Sequence, residues 1–554
     1  MLLVALALPL ASALQDVPGE RFEELLLKHA GAGWSGAALV AKGEAVLHAA
    51  GYGFADFDAD RPNDADTLFE IGSVTKPFTA VAVLHLAQER RLALDDSIAV
   101  LLPAVPTHSR AITLRHLLAH TSGIPRHYDD GRGEDLARAV VDYLVGGPEG
   151  RPGSKWEYWN GGYALLAGVI ERASGAGYTQ YLEAQLFAPA GMDSTGFTGD
   201  TDLDPARVAV GRSAKGARTA LEHPYGSYGY QYRGMGGIVT SVRDLHRFDR
   251  ALASGKLLDA EHEQALFTRV AGEYALGWFV RRAYDGSVRQ SHGGSVRGFV
   301  ADFRRLPEHD ACIVVLANDD QARPWEIGDD LECLLLGRAL VHPPPAGNVV
   351  TADDAGLYAG TYVGAAGRLV VRAAGGLLMA GVEGQALIEA LGGAGELDWK
   401  ADLGELATRA AAIVEGLARG DTSPLRTHMA KRIPASWPDT MRRSVWPAHL
   451  ALHGDFRGAR PTGACARDGH VEVLLALEHE GGPARARLSF GPAGLERLEL
   501  DPRSAAFPAS GPLQPLRKGV FRLPLGPDPA KLEFDLDARP APSVRIGTLK
   551  LARH

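Results

Sequence analysis

Cysteine is almost missing from this chain: Cys312, Cys333 and Cys465 are the only three among 554 residues. Three thiols are too few for a disulfide framework, and Cys312, in an apolar stretch, is expected to be buried as a thiol. The count neither requires nor excludes an oxidising compartment. Aromatic residues are scarce too, at 7% against 46% hydrophobic, which suits ordinary globular packing. There is no excess of positive charge; the net charge of -9 gives no general attraction to nucleic acid or acidic membranes. Small-molecule or peptide partners fit better. No G-x-S-x-G elbow appears, which argues against an alpha/beta-hydrolase, and no phosphate-binding glycine loop of either common type appears. His116 and His120 stand four apart, but no Glu follows His116 and no third ligand is suggested. No metal and no cofactor are expected.

What is present begins with Ser73-Val74-Thr75-Lys76. A Ser and a Lys three residues apart on a helix share a face, so an amine can sit against the hydroxyl. Gly72 permits a tight turn before the Ser, and residues 74–90 have helix composition. Ser73 would then lie in the first helical turn, where unpaired N–H groups and the helix dipole favour an oxyanion and depress a neighbouring Lys. Taken alone, the same four residues describe an ordinary Ser cap with a solvated Lys. Two later segments change the balance.

Tyr158-Trp159-Asn160 precedes Gly161 and Gly162, in a loop entering a helix expected at residues 163–173. Residues two apart in such a loop can face one cleft. A phenol there relays a proton, and an amide bonds Lys76 and a substrate carbonyl. The third segment, Ser291-His292-Gly293-Gly294-Ser295, reads as a glycine-rich turn at a strand edge that lets a ligand approach the backbone. The Ser295 N–H is the expected partner of the Ser73 N–H in an oxyanion hole, and His292 is either a group that orients substrate or assists proton transfer or simply a turn residue.

Together these residues resemble the serine beta-lactamase and penicillin-binding-protein superfamily, in its class-C-like branch, which includes S12-type peptidases and esterases. The resemblance covers residues 18–340. Leu117 to Ile124 is similar to the family's L-L-x-H-T-S-G-L stretch, Gly236 to Leu245 to its G-G-L-x-S-T-x-x-D-L stretch, and Leu276-Gly277-Trp278 to its L-G-W. It implies a beta-lactamase/transpeptidase-like α/β (α+β) fold: a mixed sheet flanked by helices plus an all-helical lobe, with the site between them. It also implies two-step acyl transfer, with Ser73 as nucleophile, Lys76 and Tyr158 handling protons, and Asn160, His292, Gly293, Gly294 and Ser295 around substrate and oxyanion. Which of Lys76 and Tyr158 is the base stays open at this point, since both need values below about 10.

One departure bears on substrate. Penicillin-recognising members usually carry Lys-Thr-Gly at the third segment, where this chain has His292-Gly293-Gly294. A neutral imidazole and a glycine supply neither the cation nor the hydroxyl. Arg297 is the nearby candidate replacement, but it reads more readily as a solvent-facing strand end. The expectation is a D-amino-acid peptidase or esterase acting on small esters, amides or peptides, with weak or absent penicillinase activity. The alternatives are a true beta-lactamase or D,D-carboxypeptidase, and an inactive sensor of cell-wall peptides.

Residues 1–13 form a short apolar run ending in an A-x-A pattern, expected to be a signal peptide for export to the periplasm or medium. The run is too short to span a membrane, so no stable insertion is expected. It lacks the usual leading Lys or Arg, which leaves a start further upstream open. A Pro-rich linker at residues 341–350 separates the hydrolase-like region from a β-rich accessory region at 351–554. There a small β-barrel is expected, interrupted at about 398–510 by helices at 401–419 and 438–452 and strands at 471–478 and 484–490. Substrate gating, oligomer contacts or stability are the roles left for it.

Overall fold

The computed structural model describes residues 19–57, 59–125, 133–213, 217–223, 227–343, 352–391, 402–467, 470–500, 509–512, 514–517, 520–522, 531–534, 541, 543–546 and 549–554. The segment 1–13 and most of the linker lie outside them.

The strand Gly36–Lys42 is apolar on both faces, and each face belongs to a different core. Ala37, Leu39 and Ala41 pack with Phe78, Leu245 and Phe248. Ala38 and Val40 face the opposite way, against Phe22, Leu26, Ile327 and Leu331. Alternation of this kind marks a strand covered on both sides. It sits in a six-stranded sheet ordered Phe279–Arg282, Val288–Val296, Phe299–Leu306, Ala311–Ala317, Gly36–Lys42 and Ala45–Tyr52, so the first and last parts of residues 19–335 share one sheet. Every pairing in it is antiparallel. Helices Gly19–Gly31 and Pro324–Leu335 cover one face. Val242–Ala253 and Thr75–Gln88 lie on the other, and Asn160–Ser174 packs against Thr75–Gln88 as part of a helical lobe.

The third segment departs from its expected form. His292 to Ser295 is not a turn: the strand Val288–Val296 runs straight through it, with His292 opposite Phe303 and Ser295 opposite Val300. Seven consecutive partners on Phe299–Leu306 hold the glycines extended. The turn comes at Arg297 and Gly298 instead, where Gly298 has φ +86°.

After residue 351 a helix, Ala352–Tyr358, precedes the strands. Nine strands follow in the order 509–512, 377–383, 367–374, 360–364, 549–553, 543–546, 531–534, 520–522, 514–517. The two edge strands are one residue apart in the chain, so the order returns on itself as in a barrel. Between strands 377–383 and 509–512 the chain makes a separate layer, with helix Leu403–Ala418 against a four-stranded meander spanning 456–500. Its core, from Leu403 to Leu498, is distinct from that of the nine strands. Leu377 and Met379 meet Phe54 of the first half.

Candidate active site

The site forms where the helical lobe meets one edge of the six-stranded sheet. Strand Phe69–Glu70 pairs with Ile238–Thr240, and the chain then turns at Gly72, φ +50°, into the short 3-10 turn Gly72–Val74 and the helix Thr75–Gln88. Strand Val288–Val296 crosses this turn at the closest approach its backbone allows. A Cβ on Gly294 would stand 1.9 Å from the Ile71 carbonyl oxygen and 3.0 Å from the Ser73 nitrogen. One on Gly72 would stand 2.9 Å from the Ser295 nitrogen. Both glycines are therefore required for the backbones of Ser73 and Ser295 to lie side by side.

Lys76 is fully buried, yet its Nζ donates to Ser73 Oγ at 3.0 Å and to the Met235 carbonyl at 3.1 Å. Burial pushes its ammonium well below the usual lysine range. The amine lies 4.8 Å from the ring centroid of Tyr158 and 5.5 Å from that of Tyr163. An amine of this kind, hydrogen-bonded to a half-buried hydroxyl and out of water, is equipped to take that hydroxyl's proton.

His292 is buried, with Nδ1 donating to the Gly293 carbonyl at 2.6 Å and Nε2 3.3 Å from the Tyr274 hydroxyl. Burial, with the Lys76 charge second, brings it down to about 3, so the imidazole is neutral at pH 7. His120, in the left-handed region at φ +56°, accepts the Trp159 N–H at 3.1 Å and packs 4.2 Å from Tyr158. Burial holds it well below its ordinary value too. Trp156, Tyr158, Tyr274, His120 and His292 thus make one aromatic wall beside Lys76.

Ser73, Lys76, Tyr158, His292, Gly294 and Ser295 all converge here. Asn160 differs from expectation: it is exposed as the first residue of helix Asn160–Ser174, and the Met235 carbonyl meets the Lys76 amine instead. His116 caps its own helix, accepting the Thr113 N–H at 3.1 Å. Among the described residues no group of three His, Cys, Asp or Glu is disposed to hold a metal ion. Sequence reasoning missed Met235, Tyr274 and the buried Glu70. The cluster Gly234-Met235-Gly236-Gly237 was the available signal for the first.

Comparison with known proteins adds the lineage. The family described as Beta-lactamase matches residues 25–332. Penicillin-binding protein 4* of Bacillus subtilis (strain 168) is 30% identical over 371 residues, covering 62% of this chain and 81% of that protein. The putative penicillin-binding protein PbpX of the same organism is 33% identical over 249 residues, 45% of this chain and 62% of its own length. Among solved structures, the octameric penicillin-binding protein homologue from Pyrococcus abyssi aligns with a TM-score of 0.50 at 20% identity, over 87% of this chain and 99% of that one. With more than half of its residues inside the matched region, the chain belongs to the beta-lactamase family, within the serine beta-lactamase and penicillin-binding-protein superfamily of hydrolases.

Proposed function

We propose that this protein is an exported serine hydrolase that works through a Ser73 acyl-enzyme on small esters, amides or peptides, in the manner of a D-amino-acid peptidase or esterase. The observation that carries the reading is the buried Lys76 amine, 3.0 Å from Ser73 Oγ. Lys76 takes the Ser73 proton as Oγ bonds to the substrate carbonyl carbon, and the N–H groups of Ser73 and Ser295 hold the oxyanion. As the tetrahedral species collapses, the proton passes through Tyr158 to the departing amine or alcohol. Water then enters by the reverse route and frees Ser73. His292, Gly293 and Gly294 line the acyl side, and Asn160 the rim. Residues 18–340 carry the reaction, and 351–554 shape access to it or make oligomer contacts.

The neutral His292 beside a wall of aromatic rings supports an uncharged acyl group over a penicillin carboxylate. The relatives' names favour a second reading in part, so we assign penicillin the role of a slow acylating agent without rapid turnover. Fluorescent penicillin and a fluorophosphonate are expected to label Ser73, and Ser73→Ala to abolish labelling and hydrolysis of p-nitrophenyl esters and D-amino-acid amides. Nitrocefin turnover at the rate of a dedicated lactamase would overturn the substrate assignment. Undiminished hydrolysis by Ser73→Ala would overturn the whole reading.

A further inference from the structure

Glu70 lies three residues before Ser73 and is buried, 1% exposed. Its carboxylate is the meeting point of three segments. Arg218, itself 4% exposed, donates Nη2 to Glu70 Oε2, and the Tyr232 hydroxyl donates to Oε1 at 2.5 Å. Each partner then reaches one part of the site.

Arg218 donates Nε to the Arg297 carbonyl at 3.2 Å and Nη1 to the Glu222 carbonyl at 3.2 Å, and its guanidinium lies 5.4 Å from the Phe299 ring centroid. Arg297 lies in the turn that ends the Ser295 strand, and Phe299 begins the next strand. The Tyr232 carbonyl accepts from Met235 N at 3.3 Å and from Gly236 N at 3.1 Å, closing the turn whose Met235 carbonyl holds Lys76 Nζ. One buried carboxylate is thereby tied to the strand leading into Ser73, the hairpin carrying Ser295 and the turn that receives Lys76.

We propose that Glu70, Arg218 and Tyr232 are positioning residues: Arg218 sets the separation of the Ser73 and Ser295 N–H groups, and Tyr232 sets the Met235 carbonyl against Lys76. The inference rests on the reading of Ser73 and Ser295 given above. Guanidinium geometry is essential to it, because Nη2, Nε and Nη1 reach Glu70, Arg297 and Glu222 from three separate nitrogens, a spread that a single ammonium nitrogen does not have. A lysine at 218 keeps the charge opposite Glu70 and loses the second grip.

The test uses the full chain with p-nitrophenyl ester hydrolysis, phenylboronic acid inhibition and a denaturation midpoint for each variant. Arg218→Lys is expected to fold, to lose about tenfold or more in kcat with KM within about twofold, and to bind the tetrahedral boronate more weakly by a similar factor. Tyr232→Phe is expected to move the acid limb of the pH–rate profile, which Arg218→Lys leaves in place. The neutral pair Glu70→Gln with Arg218→Met removes the unpaired buried charge that would unfold either single change, and is expected to reproduce the kcat and boronate losses. Folded Arg218→Lys or neutral-pair protein with unchanged kcat and boronate affinity would overturn the proposal. So would losses that only track the denaturation midpoint. Should Ser73→Ala retain turnover, the reading of Ser73 falls and this proposal falls with it; a failure confined to the Arg218 and Tyr232 variants leaves Ser73 standing.

Discussion

In the proposed mechanism Lys76 and Ser73 carry the chemistry, and what distinguishes them from a surface pair is solvent. A lysine in water keeps its proton to about pH 10, but the one at 76 is buried with a hydroxyl and a carbonyl for partners. With Lys76 as the proposed base the neutral amine is the working form, so kcat/KM should rise with pH through a limb well below the ordinary lysine value. Lys76→Arg, whose guanidinium stays charged, should remove that limb and lower the rate about a thousandfold, as a pH–rate profile would register. His292 makes the opposite kind of statement, about stability. Its folded value of about 3 lies below the unfolded one of about 6.5, so between those limits the unfolded chain binds the extra proton. Stability should therefore fall on acidification from about pH 6.5 toward 3, by at most about 1.4 kcal/mol per pH unit for this group. His120, also buried and lowered, adds to the same slope. Urea midpoints measured across that range should show a shallower slope for His292→Asn. Ser73, Lys76, Tyr158 and His292 are legible in sequence because each stands in a short contiguous motif. Glu70 is not, since its partners Arg218 and Tyr232 lie 148 and 162 residues away and only the fold brings them together.

At the level of elements, two backbones make the site: the Ser73 turn and the strand Val288–Val296. Their contact depends on hydrogens where side chains would stand. Gly294→Ala places a Cβ 1.9 Å from the Ile71 carbonyl oxygen, which a neighbouring backbone cannot yield to without moving. The strand is pinned by its register with Phe299–Leu306, so the shift should fall on the Ser73–Ser295 spacing. Gly294→Ala should cost about a hundredfold in kcat with the far-UV spectrum kept, whereas Gly293→Ala, whose nearest contact is at 3.6 Å, should cost far less. The sequence suggests close approach from these glycines but misreads the element, since a Gly pair after a His looks like a turn until its partner strand is known. The apolar stretch around Cys312 is a strand, Ala311–Ala317, apolar throughout because both of its faces are covered. The strands at Phe456–Arg467 and Gly494–Leu500 go unread; their alternation is diluted by Arg, Pro and Gly and resolves only through their neighbours in the meander.

Taken whole, the molecule has a large core through residues 37–316 and separate cores for the nine-stranded and four-stranded layers after residue 351. The apolar cluster that joins the halves among the described residues is small, with Phe54 and Phe57 against Ala374, Leu377 and Met379, and helix Gly19–Gly31 also touches strand 377–383. Chains with independent cores do not melt as one unit. Calorimetry should resolve more than one transition, and a phosphonate adduct on Ser73 should raise only the transition belonging to the first half. Among the described residues no helix is long and apolar enough to cross a membrane. The Pro-rich stretch stands out in the sequence by composition, while the strand order of the second half depends on pairings between residues as far apart as Tyr362 and Arg553. The claim on which the rest depends is an acyl group on one oxygen. Mass spectrometry of the full chain, quenched during turnover of a slow p-nitrophenyl ester and digested, tests it directly. The acyl mass should appear on the peptide containing Ser73 and vanish in Ser73→Ala, and an acyl group on another residue, with turnover intact in Ser73→Ala, would contradict it.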